Sequence, residues 1–188
     1  MSETANPTLM NKEEEEVVWA GRFIVAKRKG TWEYVSRARN MRAAVILAIT
    51  PENEVVLVEQ FRVPLGRNCI ELPAGLIGDD PTRPHEAPES AAVRELEEET
   101  GYRAGRIETV GEFHSSPGMV SESFTLLRTF DLERVGPGGG TEGENITVHH
   151  VPLGELETFI AERRRKGDAI DVRLLMLLGP SLLAGRSI

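Results

Sequence analysis

Between Glu86 and Tyr102 the chain reads Glu-Ala-Pro-Glu-Ser-Ala-Ala-Val-Arg-Glu-Leu-Glu-Glu-Glu-Thr-Gly-Tyr. Its start and stop signals predict a helix over Pro88–Thr100. Proline suits the first helical position, where its missing N–H would have no partner. Gly101 suits the position just past the end. At about 100° per residue, Glu95, Glu98 and Glu99 fall within an arc of about 100°. Ala92, Val93, Leu96 and Thr100 fill the neighbouring arc, which can face a core. Arg94 lies one turn before Glu98 and can pair with it. Three carboxylates on one face repel, but each like-charge pair costs only roughly 0.2–0.5 kcal/mol. A solvated acidic face therefore accounts for them as well as a site does. The same spacing suits a hard divalent cation, which takes oxygen ligands and bridges to phosphates. Charge spacing alone leaves both readings open.

The rest of the chain supplies strands. Val17–Lys27 and Thr31–Arg37 flank the polar turn Arg28-Lys29-Gly30 and are expected to form a hairpin. Arg42–Thr50, with its apolar run from Ala43 to Ile49, reads as a buried strand. Glu54–Phe61, Cys69–Leu72, Arg106–Glu112, Ser123–Asp131 and Ile146–Val151 are further strands. Leu153–Lys166 and Asp171–Leu183 look like two closing helices, and Gly136–Gly140 like a flexible loop. Strands with interspersed helices and no regular βαβ alternation point to an α+β fold with a mixed sheet.

At 188 residues and 40% hydrophobic, the chain suits one domain, expected over 17–188. Residues 1–16, which end in Lys12-Glu13-Glu14-Glu15-Glu16, read as a disordered acidic leader. A net charge of −8 argues against nucleic-acid or acidic-membrane partners. It also means that a bound polyanion would need imported positive charge, which metal ions can supply. No apolar stretch is long enough for a membrane span. The single cysteine, Cys69, reads as a core residue and fits a reducing cytoplasm. His149 and His150 are strand neighbours that point to opposite faces and do not share a metal. Arg163-Arg164-Arg165-Lys166 reads as a solvated patch that complements a helix dipole.

Arg94-Glu95-Leu96-Glu97-Glu98-Glu99-Thr100-Gly101-Tyr102, with Glu86 eight residues before Arg94, resembles the conserved box of the Nudix hydrolases at every fixed position. One spacing departs. In the family the opening glycine lies six residues before the first glutamate, whereas Gly75 lies eleven before Glu86. A polar, proline-rich loop tip of about five extra residues is inferred there. Glu71-Leu72-Pro73-Ala74-Gly75-Leu76-Ile77 resembles the box entry of the ADP-ribose pyrophosphatase and nucleoside diphosphate sugar hydrolase branch. Glu59-Gln60-Phe61-Arg62 resembles that branch's strand end with its substrate-binding arginine. Ser116-Pro117-Gly118, followed by Glu122, resembles the branch's loop with its catalytic glutamate. Gly21-Arg22-Phe23 resembles the segment that holds the nucleobase near a dimer interface.

The resemblance implies a Nudix-type α/β/α sandwich, a mixed sheet between helices, with the N-terminal strands of 17–40 in homodimer contact. It implies Mg²⁺, with Mn²⁺ as a substitute, held by Glu95 and Glu99, with Glu98 and the Ala74 carbonyl contributing. Glu122 is the expected general base, in a Gly118–Ser123 loop able to close over substrate, and Glu98 supports catalysis. Arg62 is the expected pyrophosphate clamp, and Arg22 and Phe23 the nucleobase contacts. The implied reaction is hydrolysis of ADP-ribose or a related nucleoside diphosphate sugar to a nucleoside monophosphate and a sugar phosphate. GDP-mannose is the alternative substrate. A non-catalytic nucleotide-binding module is the alternative class, and it would tolerate a broken carboxylate set.

Overall fold

Two apolar strands at the centre of the chain are covered on both faces, which is why they read as continuous hydrophobic runs. They are β4 (Arg42–Ala48) and β5 (Glu54–Arg62). Ala44, Ile46, Ala48 and Val56 face one side, where they pack with Ala91, Ala92 and Leu96 of helix α1 (Pro88–Thr100). Val45, Val55 and Leu57 face the other side. There they meet Leu156 and Ile160 of α2 (Leu156–Arg165) and Leu178 of α3 (Leu175–Leu183). The period of two in a strand thus divides one apolar run between two cores.

The computed structural model describes residues 14–78, 86–141 and 143–184. The remaining strands are β1 (Glu16–Ala20), β2 (Ile24–Lys29), β3 (Trp32–Arg37), β6 (Arg67–Glu71) and β7 (Ala74–Ile77). After α1 come β8 (Tyr102–His114), β9 (Ser123–Arg134), β10 (Thr147–Pro152) and β11 (Ala169–Ile170). One sheet runs β7-β4-β9-β8 and another β10-β5-β6-β11. Each is mixed: β4 pairs β9 in parallel, β11 pairs β6 in parallel, and the other pairings are antiparallel. The α+β expectation with mixed sheets between helices therefore holds. Most of the extra polar loop tip, residues 79–85, lies outside the described residues, as do residues 1–13 of the leader.

Several local expectations change. The expected strand Val17–Lys27 is two strands, β1 and β2, which pair antiparallel across a tight turn. Gly21 N–H donates to the Ile24 carbonyl there at 2.9 Å. The Trp19 ring packs over Gly21, and a side chain at position 21 would displace it. With β3 they form a separate three-stranded antiparallel sheet. Glu15 and Glu16 belong with it through ion pairs to Lys27 and Arg28, each at 2.7 Å. On α1 the core-facing set is Ala91, Ala92, Leu96, Glu99 and Thr100, whereas Val93 is exposed. Arg163 is no solvated charge: it pairs with Glu59 at 2.5 Å and is largely buried. His149 meets Glu59 and the Phe159 ring while His150 tilts against Tyr102, on opposite faces as the strand requires.

Candidate active site

A cavity of about 590 Å³ opens where β5, β6 and β7 meet α1, the segment before β9 and the turn between β11 and α3. Arg37, Arg62 and Arg173 line it, and so do Glu71, Glu95, Glu99, Glu122, Glu144 and Asp171. Three cations face six carboxylates, so the lining carries excess negative charge.

Glu99 is buried, and its Oε2 accepts the Ala74 N–H at 3.0 Å. Burial pushes its carboxyl up to about 8, against the lowering effect of that bond, and the charges of Glu95 and Glu144 push the same way as burial. Glu95 is also raised, chiefly by burial and against the pull of Arg94. A Cβ at position 75 would lie 2.0 Å from Glu95 Cδ, so a side chain there would displace the Glu95 carboxylate. Gly75 is thus the glycine that lets the box entry pass under the acidic face. Arg94 gathers three carboxylates: Glu95 at 2.7 Å, Glu98 at 3.2 Å and Glu86 at 3.4 Å. Glu98 stands partly exposed beside Arg94 and does not line the cavity.

Opposite the acidic wall, Arg62 forks onto Glu71 through Nε at 2.5 Å and Nη2 at 2.8 Å. Arg173 forks onto Asp171 at 2.6 and 2.7 Å and reaches Glu71 at 3.3 Å. Glu71 is 3% exposed, so one buried carboxylate holds two guanidinium groups in fixed orientation. Cys69 lies beneath, and burial pushes its thiol up to about 12, which makes it an inert wall residue.

Glu122 faces the cavity in an ion pair with Arg37 at 2.5 Å. Its segment is no free loop. Val35 N–H donates to Met119 O at 3.0 Å, Ser121 N–H to Val35 O at 2.9 Å, and the Ser36 and Ser121 hydroxyls lie 2.7 Å apart. The segment is laced along β3. Arg22 and Phe23 sit on the β1–β2 turn, with the guanidinium 4.9 Å from the ring centroid, and neither lines the cavity. Sequence reasoning missed Arg37, Glu71, Glu144, Asp171 and Arg173 as cavity residues. Asp171-Val172-Arg173, spaced to let one side chain fork onto the other, was the one available signal.

The donor chemistry fits a hard divalent cation: the Glu95 and Glu99 carboxyls are raised above their ordinary range by burial, with like charge adding to it, and a bound cation would favour their ionised form. Among the described residues no three acidic, His or Cys side chains converge on one ion-sized point.

A sequence profile of the NUDIX domain matches residues 39–170. The methanol dehydrogenase activator of Bacillus methanolicus is 36% identical over 129 residues, 67% of this chain and 66% of that protein. The ADP-ribose pyrophosphatase of Bacillus subtilis is 44% identical over 80 residues, 43% of this chain and 40% of that protein. The GDP-mannose pyrophosphatase of Cronobacter sakazakii is 37% identical over 155 residues, 78% of this chain and 76% of that protein. Among solved structures, an ADP compounds hydrolase shares the fold at a TM-score of 0.64 and 21% identity, over 92% of this chain and 93% of that one. Nudix hydrolases generally use divalent metal ions. With the domain matched across most of its length and a carboxylate helix facing an arginine-lined cavity, this chain belongs to the Nudix hydrolase family.

Proposed function

We propose that this Nudix hydrolase uses water to split the pyrophosphate of a nucleoside diphosphate sugar, releasing a nucleoside monophosphate and a sugar phosphate. One observation carries the reading: the cavity sets two carboxylate-held guanidinium groups, Arg62 and Arg173, across from the half-buried Glu95 and the buried Glu99. A pyrophosphate needs both walls, because its own charge repels a nucleophile and must be neutralised and oriented. The relatives named ADP-ribose pyrophosphatase and GDP-mannose pyrophosphatase support substrates of that class, with ADP-ribose first and GDP-mannose as the alternative.

Glu95 and Glu99 are assigned as the main metal ligands, joined by the Ala74 carbonyl, with Glu98 supporting them through Arg94. Bound Mg²⁺, or Mn²⁺ in its place, would withdraw electron density from the phosphoryl oxygens and lower the pKa of a bound water. Arg62 and Arg173, each held to a carboxylate through Nε and Nη2, orient the phosphates with their charge and their remaining N–H groups. Two carboxylates compete for the role of general base. Glu122 is the one expected from resemblance, but its charge is already matched by Arg37. Glu144 lines the same cavity as Glu95 and Glu99, and its Oε2 accepts the Thr141 backbone N–H at 2.7 Å. Glu144 is the better placed of the two to accept a proton from an attacking water.

The homodimer belongs to this proposal as well. Val17, Val18, Trp19, Phe23, Ile24 and Trp32 are exposed on the N-terminal sheet, and among the described residues β1 is an edge of that sheet. A second copy covering that sheet would bring Arg22 and Phe23 toward a nucleobase. A cytoplasmic setting rests on the single buried Cys69; among the described residues no helix is long and apolar enough to cross a membrane.

The test is product analysis with ADP-ribose, GDP-mannose, other nucleotide sugars and dinucleotides, with and without Mg²⁺. Metal-dependent release of a nucleoside monophosphate by the native protein, and its loss by orders of magnitude in folded Glu99→Gln, is the expected outcome. Full activity in Glu99→Gln would overturn the ligand assignment. No turnover of any of these substrates would overturn the reading itself.

A further inference from the structure

The run Gly136-Pro137-Gly138-Gly139-Gly140 has the composition of a flexible connector, yet its backbone is bonded to the carboxylate helix. Helix ends leave carbonyls without partners. Gly139 N–H donates to the Glu99 carbonyl at 2.8 Å and Gly140 N–H to the Glu98 carbonyl at 3.0 Å. Val135 and Gly136 N–H both donate to the Gly101 carbonyl, at 2.8 and 3.1 Å. The carbonyls so closed include those of the two residues whose side chains form the end of the acidic face.

The geometry needs glycine for two separate reasons. Gly138, Gly139 and Gly140 have φ of 69°, 108° and 80°, in the region that side chains avoid. A Cβ at Gly138 would lie 2.5 Å from the Thr100 carbonyl carbon and 2.8 Å from the Glu99 oxygen. A Cβ at Gly140 would lie 2.6 Å from Glu144 Oε2. Beyond the glycines the chain folds back on itself. Ile146 N–H donates to Gly139 O at 3.2 Å, Ile146 is buried, and Glu144 Oε2 accepts from Thr141 N–H at 2.7 Å. Glu144 thereby arrives in the cavity close enough for its charge to act on both Glu95 and Glu99.

We propose that this glycine strap is a positioning device: it locks the backbone of α1 at Glu98 and Glu99 to the segment that carries Glu144. Gly138 and Gly140 are then positioning residues that set the separation between the helix carboxylates and the Glu144 carboxylate. The inference rests on the cavity being the hydrolytic site. A displacement of about 1 Å in such a site costs up to roughly 10²-fold in rate.

The experiment pairs kinetics with amide exchange on the full chain. Gly138→Ala and Gly140→Ala should each lower kcat by roughly 10²-fold with KM little changed. Gly136→Ala, whose Cβ would meet only Gly101 Cα at 4.0 Å, should behave as the native protein. In a Glu144→Gln background, Gly138→Ala should add almost nothing, because the group it places is already gone. Independent, additive losses in the double variant, or native kcat in Gly138→Ala, would overturn the proposal. If the alanine variants do not fold, exchange in the native protein decides: Gly139 and Gly140 amides protected as well as the last turn of α1 support the lock, and fast exchange there overturns it. A native protein that turns over no nucleotide substrate yet protects those amides would refute the hydrolase reading while leaving the lock in place.

Discussion

At the scale of single residues, the carboxylates of this site are told apart by their partners. Glu98 is paired with Arg94 and Glu122 with Arg37, whereas Glu99 is buried against one backbone N–H. Glu122 Oε1 is occupied by Arg37 Nε at 2.5 Å, whereas Glu144 lines the cavity with its Oε2 on a backbone N–H. Glu144→Gln is therefore expected to slow turnover by about 10²–10⁴-fold, the range of a lost general base. Glu122→Gln should cost much less and act mainly on KM, through the released Arg37. Steady-state kinetics on both variants separates the roles; the reverse ranking would return the base to Glu122. Spacing placed Glu95, Glu98 and Glu99 on one arc of the helix, because helical geometry fixes which side chains share a face; that Glu98 stays beside Arg94 outside the cavity was not legible from it. Nor was Glu144, because its approach depends on a loop that folds back.

At the scale of elements, the turn from β11 into α3 shows how a short motif holds a wall of the cavity. Asp171 N–H donates to Ile70 O at 3.0 Å, which anchors the turn to β6. The Asp171 carboxylate then takes Arg173 Nε, Nη2 and backbone N–H. Burial alone would raise its pKa, but the Arg173 bonds outweigh burial and hold it below the usual range. The sign follows from that depression. The stabilisation is fully present above the unfolded value, about 3.9, and is lost as pH falls through the lower folded value. Asp171→Asn should cost roughly 1.5–3 kcal/mol at neutral pH, the scale of hydrogen bonds to a charged group. The gap between the two proteins should close below about pH 4. Denaturant melts across pH 2–7 check this; a gap that stays constant would show that the carboxylate charge is not what holds the turn. Helix α1 was readable to the residue because Pro88 and Gly101 mark its ends. Strand β7 and the split of β1 from β2 were not, because a four-residue strand and a glycine turn carry too little periodicity.

At the scale of the whole molecule, the N-terminal sheet stands apart from the two central sheets in its pairing and carries the exposed aromatic and aliphatic side chains. The proposed second copy should give twice the chain mass in sedimentation at micromolar concentration. Trp19→Glu, which places a charge on the open edge, should shift the protein to monomer and raise KM, since Arg22 and Phe23 would lose the neighbour they serve. A native protein that sediments as a monomer would sink the dimer. The sequence by itself determined the carboxylate helix, the buried central strands and the family, since each depends on local spacing, where geometry follows from residue order. Only the tertiary structure decided which glutamates face the cavity, that Glu71 joins two arginines and that the glycine run is a lock. Those outcomes depend on which distant segments meet, and the energy of a meeting is not written in either segment alone.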